Sequence, residues 1–145
     1  MPTFLLGKSG RLYQGAEAAA LGALSEVAYV RDVTVTMEAG EADVSNRSSN
    51  WRGTMATMKD CTVEFEMLNK PADAGLAALR TAFLNGTCVE IAALDQAKTV
   101  AGAEGPKGAF AVTNFSRGEP LEDAQTISVT LRLAEFGEWV TVVNP

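Results

Sequence analysis

Histidine is absent from the 145-residue chain and only two cysteines occur, Cys61 and Cys88. Without histidine there is no Ser-His or Cys-His couple, and neither cysteine has a cationic neighbour in sequence to lower its pKa, so the sequence does not point to covalent catalysis. Two thiols in separate strand-like runs are too few for a disulfide framework and lack metal-ligand spacing; both read as buried free thiols. Basic residues are in the minority, 12 Lys and Arg against 18 Asp and Glu, and the net charge of −6 argues against a surface that grips duplex DNA. Long apolar runs are missing too. The longest stretch of small apolar residues, Ala18 to Leu24, is broken by Gly22 and falls far short of the ~20 residues of a spanning helix. The start lacks the basic and apolar regions of a signal peptide, so the chain reads as a soluble, cytoplasmically made protein with no membrane partner.

What remains is an ordinary globular composition, 47 % apolar and 21 % charged with mean hydropathy +0.05, at the size of one domain spanning 1–145. Alternation with period two dominates. In Thr126 to Leu133, residues Ile127, Val129, Leu131 and Leu133 face one way and Thr126, Ser128, Thr130 and Arg132 the other. Cys61 to Met67 repeats the pattern, with Val63, Phe65 and Met67 inward and Thr62, Glu64 and Glu66 outward, and so does Val33 to Met37, extending back through Arg31 and Tyr29. Cys88 to Leu94 and Gly108 to Phe115 are further strands; Arg11 to Tyr13 and Trp139 to Val143 are shorter ones. Strands with one wet face suit antiparallel pairing.

One segment breaks the alternation. Asn69 to Gly86 is rich in alanine and leucine, and Pro71 and Asp73 at its start with Gly86 at its end predict a helix. Leu76, Leu79 and Phe83 give it one apolar stripe for the sheet. A second, short helix at Ala16 to Leu24 has weaker signals. The fold class expected is therefore mainly β, an antiparallel sandwich or barrel-like sheet with one α-helix packed on it. Gly40 to Thr54 reads as a polar loop, longer than most in compact domains, and loops of that length usually serve a function. Asp95 to Lys107 and Ser116 to Gln125 read as hairpin connections.

Candidate chemistry is sparse. Gly7-Lys8-Ser9 resembles the end of a phosphate-binding loop, but the glycine required five residues earlier is replaced by Pro2. Glu64 and Glu66 sit on one strand face roughly 7 Å apart, within range of a glycosidase pair, but they read as a solvated strand face. Glu41, Asp43 and Asn46 do not match calcium-loop spacing. No cofactor, metal site or enzymatic activity is expected. Trp51 beside Arg52 in the polar loop is of the type enriched at interface centres, or else folds back on its own domain. Phe4, Leu5 and Leu6 either form an edge strand or reach a neighbour by strand addition.

Taken in order, Val30-Arg31-Asp32-Val33-Thr34-Val35, Gly40-Glu41-Ala42-Asp43-Val44-Ser45-Asn46-Arg47 and Trp51-Arg52-Gly53-Thr54 running on to Met67 resemble the tail tube (major tail) proteins of long-tailed bacteriophages and gene transfer agents. Pro71-Ala72-Asp73 leading to Phe83-Leu84-Asn85-Gly86-Thr87, and Phe110 to Ala124, continue the likeness, which covers residues 27 to 133. The resemblance implies a subunit of which six form a ring, with rings stacked into a hollow tube through which DNA leaves the capsid. It also implies a tape measure protein, tail terminator and baseplate proteins as partners, and a place in the virion tail after assembly in the host cytoplasm. Tubes of contractile tails and of type VI secretion are similar in fold.

Mechanism follows from charge. Six copies at −6 each carry −36 in formal charge, and an acidic or neutral channel wall does not condense on phosphates as a basic one does. Glu64, Glu66 and Glu90 are the residues expected to face the lumen, and the loop at about 40–58, with Trp51 and Arg52 as anchors, is expected to reach an adjacent subunit or ring. A monomeric β-barrel binding module is the competing class and an enzyme the weakest; rings or filaments at rising protein concentration separate the tube from the module.

Overall fold

The computed structural model describes residues 4–143. Seven strands form one antiparallel sheet: β1 Arg11–Gly15, β2 Ser25–Glu26, β3 Val30–Asp43, β4 Thr54–Leu68, β5 Cys88–Leu94, β6 Glu104–Gly118 and β7 Thr126–Thr141, in the spatial order β2-β1-β5-β6-β7-β4-β3. The helix α1, Ala74–Asn85, connects β4 to β5 and lies against β6 and β5. Alternation reads through into burial: Cys61, Val63, Phe65 and Met67 of β4 and Ile127, Val129 and Leu131 of β7 form one core with Leu76, Leu79 and Ala82 of the helix. The sheet is rolled, because Glu26 and Val27 at one margin and Val33, Val35 and Met37 at the other border the same groove.

Helix boundaries follow their local signals. Asp73 is the N-cap, its carboxylate accepting the Leu76 N–H at 3.1 Å, and Gly86 closes the C-terminus in the left-handed region at φ 70°. The buried stripe is Leu76, Leu79 and Ala82; Phe83 points aside, its ring 6.2 Å from that of Phe115. Replacing Asp73 with alanine is expected to lower stability by about 1 kcal/mol in thermal melts, with Asp73→Asn restoring most of it.

Several strand boundaries differ from expectation because backbone pairing carries strands through stretches whose side chains are not apolar. Gly40 to Asp43 and Thr54 to Met58 are strand, which leaves a turn of residues 44–53 at the end of a long hairpin rather than a loop from 40 to 58. Trp139 belongs to the same continuous strand as Ile127, and β6 begins at Glu104. Ala16 to Leu24 is not an α-helix; only Leu21–Ala23 makes a 3-10 turn. Val33, Val35 and Met37 share a face with the core but are 42 %, 39 % and 48 % exposed, because β3 is a sheet margin that α1 does not cover.

A second, smaller core lies on the other face of β1 and β5, where Tyr13, Leu24, Ala92, Leu94, Ala103, Val140 and Val142 meet. Residues 16–24 are strapped over it by polar contacts. The Lys98 ammonium donates to the Leu24 carbonyl at 2.7 Å and stacks over the Tyr13 ring, and the Ala18 N–H donates to Glu90 Oε1 at 3.1 Å.

Candidate assembly surfaces: a wet sheet face and a projecting hairpin

Four strands, in the order β6-β7-β4-β3, build the layer that matters here. Thr62–Leu68 of β4 pair with β3 on one side and with Thr126–Arg132 of β7 on the other. With the inner face filled by core, alternation forces Thr36, Glu38, Thr62, Glu64, Thr130 and Arg132 onto the opposite face, where they surround a shallow polar depression with Asp60. Glu64 is exposed and Glu66 is half-buried, with its Oε1 3.5 Å from the Arg31 guanidinium. Arg132 reaches Asp60 at 2.7 Å. Glu38 stands directly opposite Asp60 across the β3–β4 ladder, a like-charge pairing that costs stability unless it is screened. The arginine on Asp60 offsets it. The face thus holds Glu38, Asp60, Glu64 and Glu66 against Arg31 and Arg132 and remains acidic.

Glu90 does not belong to this face. It is 3 % exposed and its Oε2 lies 2.6 Å from Lys107 Nζ beneath the residue 16–24 strap, so a carboxylate expected to meet an aqueous channel is instead enclosed within the subunit. The physical reason is that β5 is covered on both faces, by α1 on one and by the strap on the other.

Beyond Thr62 the sheet forks. β7 no longer pairs with β4, and Met37–Asp43 with Thr54–Cys61 continue as a two-stranded ribbon, roughly 23 Å long at strand rise. Its turn is held by short polar contacts: the Asp43 carboxylate accepts the Ser45 N–H, Asn46 accepts that of Ser48, and Ser45 Oγ accepts that of Gly53. Those hydrogen bonds from Ser45 hold the Asp43 carboxyl below its ordinary range. The sign follows: this contribution to turn order is present above the ordinary carboxylate pKa and lost as pH falls through the lowered one. Trp51, at the turn, is 85 % exposed and does not fold back on its own domain; Arg52, Met55 and Met58 are exposed with it. An isolated two-stranded ribbon is marginal in water, so an apolar-tipped one calls for cover.

Phe4 and Leu5 form no strand; both are exposed ahead of the 3-10 turn Gly7–Ser9. Residues 1–3 and 144–145, the outermost parts of the termini, lie outside the described residues. Cys61 is buried, and desolvation together with the Asp60 carboxylate pushes its thiol up, away from the reactive thiolate. Among the described residues no group of three or more His, Cys, Asp or Glu converges on a metal-sized site, and no helix is long and apolar enough to cross a membrane. Glu38, Asp60, Met55 and Met58 escaped the sequence reading, whereas Arg132 lies on the wet face that alternation assigned it. The alternation of β3 and β4 carries the first two onto the wet face once the strands are known to extend past Met37 and Cys61.

Solved structures share this architecture. The tail of an empty gene transfer agent particle with C6 symmetry is similar at 18 % identity and TM-score 0.74, over 94 % of this chain and 97 % of that one. The SPP1 tail tube is similar at 17 % identity and TM-score 0.78, over 97 % and 81 %. A chain of the anti-feeding prophage baseplate is similar at 8 % identity and TM-score 0.62, over 99 % and 98 %. At such identities the likeness is one of fold. No curated protein matches the chain. Residues 11–135, which hold both the four-strand layer and the projecting hairpin, match the family model described as phage tail tube protein, and the chain belongs to that family of structural, non-enzymatic proteins.

Proposed function

We propose that six copies close into a ring through the two free margins of the four-strand layer, and that stacked rings form the tail tube through which DNA passes. The observation that carries this reading is the layer itself. One face is core and the other wet and acidic; along both margins, the outer edge of β3 and the Val112–Gly118 edge of β6, backbone groups have no strand partner among the described residues. Because β6 runs opposite to β3, setting the β6 margin of one copy beside the β3 margin of the next continues the antiparallel order. Free margins of this kind are what head-to-tail association of identical subunits uses. The C6 symmetry of the gene transfer agent tail supports six. Six copies of four strands put roughly 24 strands around the channel, beyond the 16–18 that already leave an aqueous pore.

In this arrangement Glu64 and Glu66, with Glu38 and Asp60, face the lumen and the wall does not bind phosphate. Phe4 and Leu5, exposed on the described chain, lie in a subunit interface, and Trp51 and Arg52 anchor the hairpin on a neighbouring copy. The tape measure protein, a tail terminator and baseplate proteins are the partners the family resemblance brings, and assembly takes place in the host cytoplasm before the tube joins the virion. Fold likeness extends to contractile injection systems, so the tube reading does not depend on tail type.

Imaging the purified protein at rising concentration tests this: tubes of six-fold symmetry are expected, with Glu64 and Glu66 on the inner wall. A persistent monomer, or an inner wall lined mainly by lysine and arginine, would overturn it. Trp51→Ala is expected to leave the subunit melting temperature unchanged, since the side chain touches little of its own fold, and to cut tube yield at least about tenfold, as loss of an aromatic anchor does. Tubes forming at wild-type yield would remove the anchor role.

A further inference from the structure

The rolled sheet leaves an open groove of 1280 Å³ between its two margins. Its walls carry Val33, Val35 and Met37 from β3 and Trp139 from β7, all more exposed than core residues should be. At one end lie Asp95 and Glu104, adjacent in space through the Glu104 N–H to Asp95 Oδ1 contact at 3.1 Å, and neither forms an ion pair among the described residues. Lys8, Arg11 and Arg31 line the groove too, the two arginines already paired with Glu26 and Glu66; the hairpin turn complements the apolar wall and the unpaired acids. It projects, it is tipped by Trp51 with Val44 and Met55 exposed behind it, and Arg47 and Arg52 form no ion pair among the described residues.

The geometry points to this groove as the seat of the hairpin turn of a second copy of the chain, with Trp51 entering between Met37 and Trp139 and the two arginines meeting Asp95 and Glu104. The occupant is not the chain's own turn. β3 stays paired with β4 from the groove wall at Val33 to Asp43 at the tip, with one irregularity at Gly40, so the turn cannot fold back without breaking its own ladder. Turn and groove are different surfaces, so their contact is heterologous and repeats without limit unless rotation closes it. That is the property stacking needs. The inference rests on the tube reading and names the acceptor that reading leaves open.

The test uses the full chain under conditions in which the wild type forms tubes; if the wild type never polymerises, it is the tube reading that fails. Reversing the turn in Arg47→Glu/Arg52→Glu, or the groove in Asp95→Lys/Glu104→Lys, is expected to raise the protein concentration needed for tubes at least about tenfold, as mispaired interface charges do. Mixing the two reversed chains is expected to restore assembly, with the two alternating along the tube. No rescue, from chains whose circular dichroism and melting match the wild type, overturns the acceptor assignment while leaving the tube intact. A second measurement does not depend on the charge variants folding. Asn50→Cys, beside Trp51 at the turn, mixed with Val35→Cys on the groove wall keeps the anchor and the charged residues; it is expected to yield a cross-linked heterodimer on oxidation of tubes and none in dilute monomer, and tubes that form without that cross-link overturn the groove as the seat.

Discussion

Lys107→Met is expected to destabilise the subunit by about 3–5 kcal/mol, the cost of stranding a buried charge. Lys107 Nζ and Glu90 Oε2 are 2.6 Å apart with side chains 10 % and 4 % exposed, so removing the ammonium leaves a carboxylate with no water to take its place. For a chain of this size the loss corresponds to a fall in melting temperature on the order of 10–20 °C. The double variant Glu90→Gln/Lys107→Met is expected to recover most of it, because a neutral amide can keep accepting the Ala18 N–H while no charge remains to be solvated. Thermal melting with amide exchange at Ala18 reads both. A Lys107→Met protein that melts with the wild type would show that water reaches the pair, and that the residue 16–24 strap is not closed over it.

With Glu64 and Glu66 on the channel wall, as proposed above, Glu64→Lys/Glu66→Lys is expected to give a tube that holds DNA. The double substitution also leaves Arg31 without its acid, so the wet face becomes basic. Six subunits per ring then present enough cations to contact six or more phosphates, and binding of that kind weakens by about 10³–10⁵ between 50 and 200 mM salt. Tubes of the variant are expected to retain duplex DNA at low salt and release it at high salt; wild-type tubes are expected to show neither behaviour. Since Glu64 is exposed and Glu66 half-buried on the solvent side of β4, folding itself should change little. Variant tubes with no salt-dependent retention would place the two glutamates on another surface.

Glu90 shows where sequence reasoning stops. In the run Cys88 to Leu94 it is the one charge in a nearly continuous apolar stretch, a pattern that signals cover on both faces rather than one wet face. Reading it by alternation alone sends its carboxylate outward. Its cation, Lys107, lies 17 positions away on β6, and the strap that seals both comes from residues 16–24, so no local window contains the pair. Trp51 illustrates the opposite case. A tryptophan in a polar stretch is visible in the sequence, but whether it folds inward depends on what lies beside it, and only the forked sheet shows that the described residues leave it 85 % exposed.

Local interactions are written in the chain itself. Period-two alternation sets which side chains of β4 and β7 share a face, Asp73 and Gly86 bound the helix, the excess of acids sets the sign of the charge, and the ordered motifs between Val27 and Leu133 mark the tail tube resemblance. Long-range pairing belongs to the tertiary structure alone. Where β4 leaves β7, which margins stay open, that a groove with acids at one end lies between them, and that Glu90 is enclosed all depend on residues far apart in sequence meeting through backbone hydrogen bonds, and those bonds carry no mark of the side chains they join.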